Sequence, residues 1–283
     1  MSDLLRVSAA LQKQASRDLA PVWEISATVD AFAKLEDVPD GYWPLIIKDD
    51  IGQPGAAGVH MDKDGQPFAL ITSADSVDEW SLTASHEMCE MLVDPSGNRQ
   101  MTGDSPMQGQ GRVSFLVEVC DPAEAADFAY SVNSVQVSDF YTPHYFDPVA
   151  SSGVQYSFTG AIKQPRQVLR GGYLSWKDSV SGHWWQEIWF DGGQPSFRDI
   201  GPADSKAGSI RSFVDRLTSK DTMKAIARGR VTAAHAGMTV AQAQPSLNAT
   251  AAMWREQIDA IVGRRSTRRS AAKTTRRLAK RHK

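Results

Sequence analysis

Cysteine is scarce in this sequence, and its scarcity excludes a disulfide-stapled scaffold. Two cysteines, Cys89 and Cys120, occur among 283 residues, whereas a disulfide framework needs several pairs. We expect two buried thiols in a reducing compartment. A single bridge between Cys89 and Cys120 is the alternative.

Long apolar runs are also missing. No stretch approaches the roughly 20 apolar residues that a membrane-spanning helix needs, so we predict that the chain has no transmembrane segment. The first residues, MSDLLRVSAALQKQ, lack the hydrophobic core of a signal peptide. We therefore expect a cytoplasmic protein, with export by a route without a signal peptide as the alternative.

Positive charge is deficient everywhere except at the C-terminal end. Ten of the 31 Lys and Arg residues lie in residues 264–283, which contain no acid, and this leaves 21 basic against 33 acidic residues elsewhere. Because this tail is poor in apolar residues, we predict that it is disordered. Its charge suits an anionic partner, either nucleic acid or an acidic surface. The alternative is a solvated extension that aids solubility.

The most informative stretch runs from Ser76 to Pro95. Ser76 and Glu79 have the spacing of a capping box, which predicts a helix that starts near Val77. Pro95 disfavours helical backbone at the residue before it, so the helix should end at about Val93.

This helix contains His86, Glu87 and Glu90 in the order H-E-x-x-E. The pattern is the zinc-helix motif H-E-x-x-H with a glutamate in place of its second histidine. His86 and Glu90 share one face, and Glu87 lies at its edge. Since the rest of the helix is largely apolar, these groups should be buried, which is costly unless they are paired or bind a metal. The sequence thus predicts a metal site, with an internal His86–Glu90 ion pair as the alternative.

A zinc hydrolase needs three protein ligands and one open position. We expect the third ligand at the end of a predicted strand over residues 112–119, where Glu118 and Asp121 occur. One would bind the ion and the other would orient His86. We favour Glu118 as the ligand and Asp121 as the orienting group, with the reverse assignment as the alternative.

Three further residues are weaker ligand candidates. Asp94 lies eight residues after His86, although its place before Pro95 is more typical of a turn residue. His144, in an aromatic loop, could reach the ion or a substrate. His60, on a predicted strand, is the weakest of the three.

The motif S-H-E-x-x-E-x-x-x-D-P, followed by E-x-x-D at Glu118, resembles a loose group of zincin-like proteins with H-E-x-x-E helices. That group includes bacterial proteins of unassigned role and plant extracellular proteins induced by phosphate. The order of elements over residues 3–121 also resembles the N-terminal half of zincin metallopeptidases. We predict a helix over 3–18 that Pro21 ends, strands over 22–29 and 42–47, and a hairpin over 58–72.

The resemblance implies an α+β fold: a zincin-like mixed sheet with an active-site helix, an aromatic-rich β-layer and C-terminal helices. We divide the chain into a zincin-like domain at 1–205, a helical region at 206–263 and the basic tail. The aromatic residues of 154–190 could bind sugar or peptide, but the core of a β-layer is the favoured interpretation.

The function that this resemblance implies is a metal-dependent hydrolase, most typically a peptidase acting on a peptide or protein. Glu87 would be the general base, and Tyr141 or Tyr145 would stabilise the oxyanion. The ion would be zinc, with manganese or iron as alternatives because carboxylates suit harder ions. The alternative function is a non-catalytic binding or assembly protein of zincin fold with a degenerate or structural metal site.

Overall fold

The computed structural model of the chain describes residues 1–52, 56–63, 65–73, 76–190, 193–204 and 208–218. The helices predicted beyond residue 218 and the basic tail at 264–283 lie outside these ranges. The described part is a mixed α/β structure with several sheets and few helices. Among the described residues, no helix is both long and apolar enough to cross a membrane.

The helices are α1 (Ser2–Lys13), α2 (Ala20–Trp23) and α3 (Val77–Val93), with a π-helix at Gln14–Leu19 and 3₁₀ turns at Leu35–Asp37, Asp121–Ala123, Ala126–Phe128 and Pro143–Phe146. The strands are β1 (Leu45–Lys48), β2 (Gly58–Lys63), β3 (Gln66–Thr72), β4 (Gln100–Asp104), β5 (Arg112–Leu116), β6 (Tyr130–Val132), β7 (Val135–Val137), β8 (Tyr173–Asp178), β9 (Trp184–Ile188) and β10 (Ser196–Gly201). Residues 210–218 are helical.

The N-terminal helix is longer than the sequence suggests. It continues through the π-helix into α2, so the prediction that Pro21 ends it was wrong. Pro21 lies in α2, directly after the π-helix. The predicted strand over 22–29 was also wrong, because Trp23 is helical and Glu24 closes the helix in the left-handed conformation, with φ of 55°.

A buried polar network joins this helix to α3 and to the residue after β7. The Ser85 hydroxyl donates to the Gln14 side-chain oxygen at 2.7 Å and accepts from the Ser138 amide at 2.8 Å. The Gln14 side-chain amide donates to the Ser138 carbonyl at 3.0 Å. Each of the three residues is at most 1% exposed, so the network joins three elements inside the protein.

The first sheet has the strand order β1-β3-β2, with β1 parallel and β2 antiparallel to β3. The hairpin predicted over 58–72 is therefore confirmed. In the turn of this hairpin, the Asp62 carboxylate accepts from the Gly65 amide at 3.1 Å. The edge strand β2 packs along α3 and so faces the candidate site.

Helix α3 begins and ends where the sequence predicts. Ser76 is its N-cap, and the Ser76 hydroxyl accepts from the Glu79 amide at 3.3 Å. Glu87 and Glu90 are buried, with exposures of 4% and 0%. The helix thus carries carboxylates into the interior, where they need partners.

The second sheet is antiparallel, with the strand order β10-β9-β8-β5-β4. Strand β4 falls in a stretch that reads as a polar loop, because its sequence QMTGD lacks alternating apolar residues. The aromatic residues of the β-layer include the buried Trp176, Trp184 and Tyr156, in keeping with a packing role. Strands β6 and β7 form a small hairpin.

Candidate metal centre

Four separate pieces of the chain meet in one buried polar cluster. They are β2, the middle of α3, the stretch from Glu118 to Glu124 that follows β5, and segment 208–218. The polar residues that they contribute are His60, His86, Glu87, Glu90, Glu118, Asp121, Glu124, Arg211 and Asp215. The sequence-predicted ligands His86, Glu90, Glu118 and Asp121 all belong to this cluster.

His86 lies between two carboxylates from different elements. Its Nε2 atom is 3.3 Å from Glu90 Oε2 and 3.2 Å from Asp121 Oδ1. Burial lowers the pKa of His86, but the carboxylates of Glu90 and Asp121 outweigh it and raise the pKa well above the usual range. Without a metal ion, His86, whose side chain is 12% exposed, is therefore a cation held by two acids.

Glu90 is the centre of the cluster and is fully buried. Its carboxylate contacts His86 and forms an ion pair with Arg211, and it accepts a hydrogen bond from the Cys120 amide at 3.2 Å. Burial would raise the pKa of Glu90, but Arg211 and His86 more than offset it and hold the pKa well below the usual range. The glutamate that breaks the H-E-x-x-H motif is thus an ionised carboxylate in the protein interior.

Glu87 is held by a histidine that the sequence ranks lowest. His60 Nδ1 lies 3.2 Å from Glu87 Oε2, and Arg211 Nη2 lies 3.7 Å from the same oxygen. His60 is 1% exposed, and its Nε2 atom has no hydrogen-bond partner among the described residues. The sequence signal that could have identified His60 is its position on β2, because the β2–β3 hairpin directly precedes α3 in the chain.

Gly58 allows β2 to approach α3 beside Glu87. A Cβ atom at this position would lie 2.5 Å from Thr83 Cγ2 and 2.7 Å from Glu87 Oε1. We expect Gly58→Ala to lower the free energy of unfolding by about 1–3 kcal/mol, as overpacking does, measured by urea denaturation. Adding Thr83→Ser removes the closest carbon and should restore part of the loss. A Gly58→Ala protein as stable as the wild type would contradict the tight approach.

The segment after β5 brings three acids to the cluster. Asp121 contacts His86, whereas Glu118 forms an ion pair with Arg211. This geometry favours the reverse of our preferred assignment, with Asp121 as the ligand that accompanies His86. Glu124, three residues further on, joins His86 and Asp121 in a group whose ligand atoms all lie within 4.8 Å of one another; sequence reasoning missed it.

Two of these carboxyl groups are hard to ionise. Burial raises the pKa of Asp121 well above its usual range and raises that of Glu124 to about 8. A divalent ion would favour the ionised form of both groups, because it supplies the missing positive charge.

The pKa of Glu124 predicts a stability that falls with rising pH in metal-free protein. The folded state holds a proton up to about pH 8, whereas an ordinary glutamate loses it near 4.5, so stability is lost as pH rises between these values. His86 contributes with the same sign, because its raised pKa gives stability that is present below about pH 6.5 and lost above it.

We therefore expect metal-free protein to be more stable near pH 6 than near pH 8.5, and Glu124→Gln to reduce that difference. Urea denaturation in chelator at several pH values measures it. Glu36→Gln is the control, since the Glu36 side chain is 75% exposed. An unchanged pH slope in the Glu124→Gln protein would show that this carboxyl does not titrate as described.

Arg211 is the permanent cation of the cluster, and sequence reasoning did not anticipate it. Its guanidinium contacts Glu90, Glu118 and Glu87 and lies 3.1 Å from an Asp215 oxygen. Six carboxyl groups thus share one arginine and two histidines; the acids are Glu87, Glu90, Glu118, Asp121, Glu124 and Asp215. Burial raises the pKa of three of these acids, Asp121, Glu124 and Asp215, and a divalent ion would favour their ionised forms.

The remaining candidates lie elsewhere. Asp94 accepts from the Arg99 amide at 2.7 Å, which fits the turn role expected of it. His144 is exposed and contacts Asp147 at 2.9 Å, so it does not belong to the cluster. The Tyr145 hydroxyl donates to the Gln167 carbonyl at 3.2 Å and is thereby committed away from the cluster.

Tyr141 and Cys120 are buried next to the Glu118 segment: the Tyr141 amide donates to the Val119 carbonyl at 2.8 Å, and the Cys120 amide donates to Glu90. The Tyr141 ring is buried and stacks on Tyr145, with ring centroids 4.3 Å apart. Its hydroxyl has no hydrogen-bond partner within the described ranges, so Tyr141 fits an oxyanion role better than Tyr145. Cys89 and Cys120 are buried free thiols, which confirms the favoured alternative over a disulfide.

Among the described residues, two groups that contain His86 could hold a metal ion: His86 with Glu90 and Cys120, and His86 with Asp121 and Glu124. Ligand atoms about 2.1 Å from a tetrahedral zinc ion lie about 3.4 Å from one another. The distances from His86 Nε2 to Glu90 and Asp121 are 3.3 Å and 3.2 Å. One imidazole and two carboxylates, with Glu124 beside them, also suit manganese or iron.

No protein-family model matches this chain, and comparisons with curated proteins and with solved structures likewise found no significant match. The resemblance to zincin-like proteins therefore rests on the motifs of α3 and of the Glu118 segment.

Proposed function

We propose that this protein is a metal-dependent hydrolase of zincin-like type that cleaves peptide or amide bonds. The observation that carries the proposal is the position of His86 Nε2 between carboxylate oxygens of Glu90 and Asp121, at distances typical of neighbouring metal ligands. His86, Glu90 and Asp121 would hold the ion, with Glu124 as a further carboxylate.

A divalent ion held by these residues would supply Lewis-acid chemistry, lowering the pKa of the attacking water and polarising the substrate carbonyl. Glu87 follows His86 directly in α3, and its carboxylate contacts His60 and Arg211. In the proposed reaction Glu87 accepts a proton from the attacking water and returns it to the leaving nitrogen. His60 orients the Glu87 carboxylate, and the Tyr141 hydroxyl is the group available to the developing oxyanion.

The test is metal binding together with hydrolysis by the full-length chain. Titration calorimetry with Zn²⁺ and Mn²⁺ should give about one ion per chain, as the single-metal site requires. His86→Ala and Asp121→Asn should abolish that binding, while His144→Ala, at an exposed histidine, should not. A quenched fluorescent peptide library should be cleaved with metal and not in chelator. Absence of metal binding in the wild type would refute the proposal.

A second candidate is a non-catalytic binding or assembly protein. The observation that favours it is the position of Arg211. Its guanidinium contacts the buried carboxylates of Glu87 and Glu118, so both acids already have a cationic partner. In that case metal would bind without any peptide cleavage. The basic tail would then serve an anionic partner, and deleting residues 264–283 should weaken binding and reduce its salt dependence.

A further inference from the structure

Arg211 occupies a position that is built from metal-ligand side chains. The ligand atoms of His60, Glu90 and Glu118 all lie within 4.8 Å of one another. Arg211 Nη1 forms ion pairs with both Glu90 and Glu118. We propose that His60, Glu90 and Glu118 form a second cation position, that Arg211 fills it with its guanidinium, and that this charge keeps a divalent ion out.

His60, Glu90 and Glu118 have features of a cation site that a group of surface acids would lack. They come from β2, α3 and the stretch after β5, and exposures of 1%, 0% and 5% show that all are buried. Glu118 Oε1 has no hydrogen-bond partner in the part of the chain that the structure describes. An unpartnered buried carboxylate oxygen beside an imidazole is suited to a metal ion.

Glu90 links this second position to the first. It belongs both to the group with His60 and Glu118 and to a group with His86. A carboxylate shared in this way is the arrangement found between two metal ions about 3.5–4 Å apart. The inference deepens the proposed function, because it defines which ion count the active protein should have.

The backbone around Arg211 is anchored without help from its guanidinium. The Arg211 amide donates to the Gly97 carbonyl at 2.9 Å, and the Ile210 amide donates to Asn98 at the same distance. Phe213 and Val214 pack in a hydrophobic cluster with strands β5, β8 and β9. Replacing the side chain at 211 should therefore change the charge in the cluster while leaving segment 208–218 in place.

The experiment compares Arg211→Met, Arg211→Lys and Arg216→Met in the full-length chain. Arg216 is a matched control on the same segment, with a side chain that is 50% exposed. Calorimetric titration with Mn²⁺ and native mass spectrometry count the bound ions. We expect about one ion in the wild type, in Arg211→Lys and in Arg216→Met, and about two in Arg211→Met. Adding Glu118→Gln to Arg211→Met should remove the second ion only.

The outcomes separate this inference from the proposed function. If the wild type binds one ion and Arg211→Met binds no more, the second cation position is refuted and the proposed function stands. If the wild type binds none, and Arg211→Met gains one that His60→Ala abolishes, the proposed function fails and the cation position stands. Two ions in the wild type would also overturn the role of Arg211.

If Arg211→Met folds poorly, the change in its Tm on adding Mn²⁺ provides a second test. Mn²⁺ should then raise the Tm of Arg211→Met more than that of the wild type, because the ion replaces the missing charge. An equal or smaller rise would refute the second cation position.

Discussion

Replacing Glu87 by glutamine is expected to lower hydrolysis about 10²–10⁴-fold, the usual contribution of a general base, while leaving the divalent ion bound. Glutamine keeps the size of the side chain and can still contact His60, but its amide cannot take a proton from water. The His86, Glu90 and Asp121 contacts do not involve Glu87, so the affinity for the ion should change little.

The measurement is kcat and Kd on the same preparation, with peptide cleavage and Mn²⁺ titration run in parallel. Glu79→Gln is the matched control, because Glu79 lies on the same helix and is exposed. Loss of metal binding in Glu87→Gln would make Glu87 a ligand. Unchanged cleavage would remove it from the reaction.

Glu90→Gln is expected to cost about 3–5 kcal/mol of unfolding free energy in metal-free protein, the range for breaking a buried ion pair. Glu90 is fully buried between Arg211 and His86, and a neutral amide leaves the Arg211 cation with fewer compensating charges. The hydrogen bond from the Cys120 amide can persist to the glutamine oxygen, so the loss reports mainly on charge.

Urea denaturation in chelator measures this loss, and an unchanged m-value would show that the compactness of the two states is unaltered. The double variant Glu90→Gln, Arg211→Met should lose less unfolding free energy than the two single variants lose together, because the two side chains interact directly. A loss no larger than that of Glu79→Gln would mean that the ion pair contributes little.

The elements that sequence reasoning predicted well are specified by local signals. The start of α3 follows from the Ser76 cap, and its end follows from Pro95. The hairpin of β2 and β3 follows from its turn residues. The H-E-x-x-E spacing likewise placed His86 and Glu90 on one face, where the structure has them 3.3 Å apart.

The rest depends on contacts between distant parts of the chain. Arg211 lies 121 residues after Glu90, and no periodicity in its neighbourhood indicates which cluster it enters. His60 looked weak because an isolated histidine on a strand gives no sign of what faces it. Strand β4 was missed because its neighbour β5, rather than an apolar alternation, makes it a strand.

The network of Gln14, Ser85 and Ser138 helps to set the orientation of α3 and therefore the position of His86. Ser85 precedes His86 in α3, and adjacent helical side chains point about 100° apart. Holding the Ser85 hydroxyl between two partners at 2.7 Å and 2.8 Å fixes the rotation of α3 about its own axis. Ser85 is therefore an alignment contact of α3, and we expect a bulkier side chain at this position to disturb the placement of His86 relative to Asp121.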